Sequence, residues 1–242
     1  MYQSTNIHLT SDIKLSDVII NNPYLLLLLE HFGIEVPLQD RTLKQVCLQY
    51  GINIELFLTF ANLYNGVNYT PLSPLTIQDT PTIINYLKNS HRYYADEIYP
   101  NILGVIHQMA KVNDFKEMAL VPRFFVDYFN DVTEHLEYEN KTVYPYILHL
   151  IERIENKEKD DPSIAYSVVE YQEHHNDIEE KLNDLKSLLI KYLPPKNDQT
   201  IRRKLLFLLS ELEYDLNIHS KIEELILIPL VVAMELHLKK LR

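Results

Sequence analysis

Two stretches of the chain place a histidine, a glutamate four residues later and a proline six residues after that. They are EHLEYENKTVYP, with His135, Glu139 and Pro145, and IHSKIEELILIP, with His219, Glu223 and Pro229. In a helix, positions i and i+4 lie on one face about one turn apart. Around His135, Phe125, Tyr128, Phe129 and Val132 come before at helical spacing, and Leu208, Leu212 and Leu216 do the same before His219. Each polar pair therefore shares the apolar sector of its helix and is expected to face a packed interior. There an ionised group without a partner costs several kcal/mol.

The chain has 10 histidines, and four of them keep a common period. His91 to His135 is 44 residues, and His175 to His219 is again 44. His135 to His219 is 84 residues, as are Glu139 to Glu223 and Pro145 to Pro229. The pattern reads as one helical hairpin used twice. Each copy carries a histidine on its first helix and His-x3-Glu-x5-Pro on its second.

Four imidazoles and two carboxylates gathered in an apolar interior suit metal ligation, through imidazole nitrogen and carboxylate oxygen. The set is too rich for one tetrahedral zinc. It fits two ions, each Glu bridging and each ion taking two imidazoles, with a position left for a bridging oxide or a small exogenous molecule. An all-nitrogen-and-oxygen set favours iron or manganese over a thiolate-type zinc site. The expected ligands are His91, His135, Glu139, His175, His219 and Glu223. His174 is the alternative to His175, since adjacent residues point about 100° apart on a helix; the period and the stripe Ile178, Leu182, Leu185 and Leu189 select His175. Glu179 reads as a surface or supporting residue. His8, His31, His107, His149 and His237 fall outside the pattern and read as ordinary surface or boundary residues. Tyr93, Tyr94 and Tyr138 lie near the ligands in sequence, where a phenol can donate to a bridging oxygen or a bound carboxylate. With 17 tyrosines in the chain, core packing is the plainer reading of each.

The elements that must hold these residues are helical. With 242 residues, 46% of them hydrophobic and only 4 glycines, the chain can bury a sizeable core and lacks the dense turns of an all-β protein. Apolar residues recur three and four apart over long stretches. Four long helices are expected at about 81 to 112, 118 to 156, 162 to 193 and 198 to 241, joined by short polar breaks. That is an all-α, up-down-up-down four-helix bundle over 81–242. Residues 1–66 read as a small three-helix domain: LSDVIINNPYLLLLLEHFG stopped by Gly33, RTLKQVCLQYG capped by Thr42 and stopped by Gly51, and INIELFLTFANLYNG stopped by Gly66. Residues 67–80, with three prolines nearby and little helical period, read as a linker ending in Asp79 as a cap ahead of Pro81. That linker allows packing within one chain or exchange between the two subunits of a homodimer.

His…His-x3-Glu…His…His-x3-Glu on four helices, with a proline six residues after each Glu, resembles the hemerythrin-like domain. The count of four His and two Glu resembles its di-iron branch in iron–sulfur cluster repair proteins. The resemblance implies two iron ions, carboxylate-bridged and oxo- or hydroxo-bridged, with manganese or zinc as substitutes. It also implies a role in nitrosative or oxidative stress through iron donation or reaction with nitric oxide. Damaged iron–sulfur proteins, O2 and NO are the partners it suggests. The N-terminal segment is similar to the small domain that precedes the bundle in those proteins. There an adjacent cysteine pair is usual, where this chain reads GIEVPLQDRTL with Val36, Pro37 and Leu38; Cys47 is not an equivalent position.

A net charge of −11 and a pI near 5.3 argue against nucleic acid as a partner. Apolar runs such as Leu25 to Leu29 fall far short of the ~20 residues that span a bilayer. The single cysteine excludes an internal disulfide, and the start lacks a signal-peptide layout, so a soluble cytoplasmic protein is expected. Three functions remain open on sequence: cluster repair, reversible O2 or NO binding or sensing, and a helical interaction module. Catalysis is neither required nor excluded by these residues.

Overall fold

The computed structural model describes residues 8–67, 73–113, 118, 120–157, 166–173, 178–194 and 196–240. Among them the only β pairing is an isolated bridge between Lys14 and Thr42, and the fold class is all-α as expected. None of the described helices is long and apolar enough to cross a membrane.

The N-terminal residues form α1 (Leu15–Asn21), α2 (Leu25–His31), α3 (Leu43–Tyr50) and α4 (Ile54–Tyr64). The single apolar helix expected up to Gly33 is thus two. Pro23 has no N–H to donate and pushes the preceding residue out of the helical region; Asn22 sits at φ −136 and ψ 89. Gly33, Gly51 and Gly66 take positive φ of 69°, 67° and 71°, the left-handed stop that glycine adopts most easily. Thr42 caps α3 reciprocally: its hydroxyl accepts from Gln45 N, and the Gln45 side chain accepts from Thr42 N.

Of the expected linker, residues 68–72 lie outside the described residues. Ile77–Asp79 forms a single 3-10 turn. Asp79 accepts from Thr76 N at 2.7 Å and from Asn53 Nδ2 at 2.6 Å. Its carboxylate closes the turn before the next helix and ties it to the start of α4.

The remaining helices are α5 (Thr80–Tyr93), α6 (Tyr99–Val112), α7 (Leu120–Tyr138), α8 (Tyr144–Glu155), α9 (Val168–Glu173), α10 (Ile178–Ser187), α11 (Gln199–Ile222) and α12 (Ile228–Lys240). They follow the four expected helices, with one repeated modification. A π-helical turn occupies Tyr94–Ile98, Glu139–Val143, Leu188–Tyr192 and Glu223–Leu227. Each ends two residues before a proline: Pro100, Pro145, Pro194 and Pro229. Proline cannot donate to the carbonyl four residues back, and its ring collides with that carbonyl. The residue ahead of each proline therefore donates five residues back: Tyr99 to Tyr94, Tyr144 to Glu139, Leu193 to Leu188 and Ile228 to Glu223. One extra residue widens the turn, and the helix resumes in three of the four cases. At both histidine–glutamate pairs this π turn starts at the glutamate itself.

The chain divides into two compact units, Met1–Ser90 with Ile218–Arg242, and His91–Asn217. In the second, four helical arms are antiparallel neighbours in a closed order. His91 faces Glu139 and Tyr99 donates to Tyr128, so the first arm runs against the second. Lys181 pairs with Asp131 while Leu185 and Leu188 share a groove with Phe124. Lys186 pairs with Glu213, and Arg202 donates to the carbonyls of Leu189 and Leu193. The ring closes where Tyr94 donates to Asp215 and Asn113 to Asp198. Tyr99 anchors the core, 4.6 Å from the ring of Phe129 and stacked on it. In the other unit, Phe32 packs on Phe57, Phe60 and Tyr86. Tyr64 and Tyr86 share a 2.8 Å hydrogen bond, which seats α2 and α4 against α5.

Where the end of α6 meets the start of α11, buried Asp198 accepts from Arg202 at 2.9 Å and Asn113 at 3.1 Å. Burial pushes its carboxyl up, but those hydrogen bonds and the Arg202 charge outweigh it and hold the group below its ordinary value. A depressed folded-state pKa contributes stability above the unfolded value of about 3.9, and that stability is lost as pH falls through the folded value. Asp198→Asn is expected to cost about 1–3 kcal/mol at neutral pH. In chemical denaturation the gap to wild type should narrow below about pH 4, whereas a gap constant with pH would contradict the role.

Candidate metal centre

Within the unit His91–Asn217, three expected ligands converge. Glu139 opens its π turn and is wholly buried. His135, one turn earlier on α7, brings Nε2 to 3.2 Å from Glu139 Oε1. His91, in the last turn of α5, brings Nε2 to 3.4 Å from Glu139 Oε2. Two donors each ~2.1 Å from one ion are ~3.0 Å apart at a right angle and ~3.4 Å at the tetrahedral angle. Both spacings thus match neighbouring positions around a metal ion. The donor set fits a metal.

The other unit holds the second pair. His219, near the end of α11, places Nε2 at 3.4 Å from Oε2 of the buried Glu223. Its other nitrogen, Nδ1, lies 2.9 Å from Ser90 Oγ. Ser90 gives its single hydroxyl proton to Leu87 O at 2.7 Å, so in the Ser90–His219 pair the imidazole is the donor. That places a proton on Nδ1, and in the neutral imidazole Nε2 then turns its lone pair toward Glu223. A lone pair facing a carboxylate is repulsive unless a cation lies between them, and a metal-ligating imidazole is held by just such a bond from its far nitrogen.

His91, His135 and Glu139 are therefore brought together, as are His219 and Glu223. His174, His175 and the Glu179 side chain lie outside the described residues. His8, His107, His149 and His237 are exposed as expected. His31 is a correction: it is buried, edge-on to Tyr86 at 5.3 Å, because the break at Pro23 turns α2 inward as its own helix. The three tyrosines near the ligands have these partners. Tyr93 donates to Glu211, Tyr94 to Asp215 and Tyr138 to Tyr166.

Sequence reasoning missed Ser90, Tyr144 and Asp215. Tyr144 is wholly buried with its hydroxyl 3.3 Å from His91 Nε2. Its signal was its place five residues after Glu139, since residues five apart stand over one another in a π turn. Asp215 is wholly buried and precedes His219 by four residues. The same spacing puts Asp131 ahead of His135, but Asp131 is exposed and paired with Lys181.

Loss of the Ser90 hydroxyl frees the His219 ring to rotate. Ser90→Ala should keep the helical content and weaken metal affinity roughly 10- to 100-fold in chelator competition. Unchanged affinity would show that Ser90 does not orient the ligand.

Comparison with known proteins bears directly on this donor set. The model of the Hemerythrin HHE cation binding domain matches residues 82–231. No curated protein and no solved structure matches the chain. The matched span runs from α5 into α12 and contains both histidine–glutamate pairs. With more than half of its length in that match, the chain belongs to the hemerythrin HHE cation-binding family.

Proposed function

We propose that the two histidine–glutamate groups are halves of one dinuclear iron centre. His91, His135, His175 and His219 are its imidazole ligands, and Glu139 and Glu223 are its bridging carboxylates. The observation that carries this reading is Glu139, fully buried between two imidazole nitrogens at 3.2 and 3.4 Å. The 84-residue repeat supports joining the halves. So does the chain itself: Ser90, which holds His219, is followed directly by His91, which faces Glu139. When bound, two such ions supply Lewis acidity and one-electron chemistry toward small diatomic molecules.

The function proposed is that of the iron–sulfur cluster repair type: iron donation, or reaction with nitric oxide, under nitrosative or oxidative stress. Iron held by imidazole and carboxylate ligands, without thiolates, is released as those ligands protonate, which suits a donor. Cys47 offers no thiol step. It is buried, and burial pushes its thiol up to about 12, so it stays protonated and unreactive at neutral pH.

A second reading makes the centre an O2 or NO sensor that signals through the N-terminal helices. One observation favours it. Asn89 donates to the carbonyl of His31 on α2 at 2.8 Å, and the next residue, Ser90, bonds to His219. A shift of that ligand is thus two adjacent residues away from α2.

Anaerobically purified protein should hold two iron ions per chain by metal analysis. Glu139→Ala or His219→Ala should abolish the dinuclear load. Fewer than one metal per chain in wild type, or two retained in either variant, would overturn the assignment. Reactivation of a damaged iron–sulfur enzyme by the loaded protein supports repair. An absorption band that comes and goes with O2, without reactivation, supports the sensor.

A further inference from the structure

The two halves of the repeat differ on their outer faces. The 84-residue offset sets Leu225, Ala233 and Leu236 at the positions of Lys141, His149 and Glu152. In the first half these positions are exposed and charged: Lys141 pairs with Glu137, and His149 faces Glu152 at 3.8 Å. In the second half they are also exposed but apolar, with Leu225 at 61% and Leu236 at 51%. Pro229 and Val232 lie between them and are exposed too. Ile228, Val231, Met234 and Leu238 form the opposite, buried face of α12. The helix is thus apolar on both sides, the pattern of a helix that is covered on both.

The charges that flank this face fit a second copy of the same chain. Exposed Glu224 lies eight residues before Val232, and exposed Lys240 lies eight residues after it, each about 12 Å along the helix. Acidic at one end and basic at the other, the face complements itself when turned by half a rotation about Val232. An antiparallel copy brings Glu224 to Lys240 of the partner subunit at both ends, whereas a parallel copy would set like charges together. Lys221 lies outside the stretch that this pairing covers. Ala233, beside the axis, is small enough to let two helices approach closely. We propose that α12 and the π turn before it form the interface of an antiparallel, two-fold homodimer. Val232 sits at its axis, Leu225, Pro229 and Leu236 are its apolar core, and Glu224 pairs with Lys240 at its rim. A two-fold interface uses the same patch on both copies, so association stops at two. Leu225 belongs to the π turn that begins at Glu223, so the dimer braces the turn that carries this glutamate.

The test is sedimentation velocity of the full chain over a concentration series, with crosslinking to read the register. Wild type should approach twice the chain mass of 28.6 kDa as concentration rises. Leu236→Glu alters an exposed position, so it should keep the helical content while raising the dimer dissociation constant roughly ten- to hundredfold. Glu224→Lys should also weaken the dimer, and Glu224→Lys combined with Lys240→Glu should restore it. Under mild oxidation Val232→Cys should give a disulfide-linked dimer, since the native Cys47 is buried. Leu48→Cys, at a position 83% exposed on α3, should not. A wild type that stays at the mass of one chain would overturn the proposal and leave the face to a different protein. A Leu236→Glu variant as dimeric as wild type would overturn it by placing the interface elsewhere. Crosslinking through Leu48→Cys but not Val232→Cys, or a double swap no tighter than Glu224→Lys alone, would overturn the antiparallel register. None of these readouts depends on metal, so the dinuclear reading stands or falls separately.

Discussion

The charge of a wholly buried carboxylate governs this molecule. Glu139 and Glu223 both sit at 0% exposure, where an uncompensated negative charge is worth several kcal/mol against folding. Each is met by histidine: His91 and His135 at the first, His219 at the second. Protonated imidazoles could neutralise these charges as ion pairs. Metal ions do the same with neutral imidazoles, and the Ser90 bond to His219 Nδ1 prepares the neutral tautomer. The histidines set against each glutamate, and the Ser90 bond that orients one of them, answer that one requirement.

Proline provides the second layer. Four Xaa-Pro steps force four widened turns, and two of those turns begin at the glutamates. Aligned this way, a residue that would break a helix elsewhere becomes the device that swings the following turn around the site. The duplicated plan is not symmetric in its details. Tyr144 answers to Ile228, and exposed Asp131 answers to buried Asp215. A repeat fixes where backbone and ligands fall, while the residues around them are free to differ.

Much of the fold and part of the site could be read from sequence, for physical reasons. The histidine–glutamate pairs that meet in the structure were visible because helical i, i+4 spacing is local. The stops at Gly33, Gly51 and Gly66 and the cap at Thr42 were local too. Ser90 and Tyr144 were not visible, because their roles depend on which turn of one helix meets which turn of another. Ser90 matters only because α5 brings it to His219. His31 looked like a boundary residue because the apolar run around Pro23 reads as one helix, whereas the proline divides it and buries the ring. Asp131 and Asp215 share a repeat position, and only tertiary context separates them.

The central claim is that both histidine–glutamate groups serve a single dinuclear centre. The most direct test is electron paramagnetic resonance on the full chain, loaded with iron and oxidised to the ferric state. Two ferric ions joined by bridging ligands couple antiferromagnetically, so the account predicts a ferric spin count near zero despite two irons per chain. A spin count equal to the iron content would show isolated ions and contradict it.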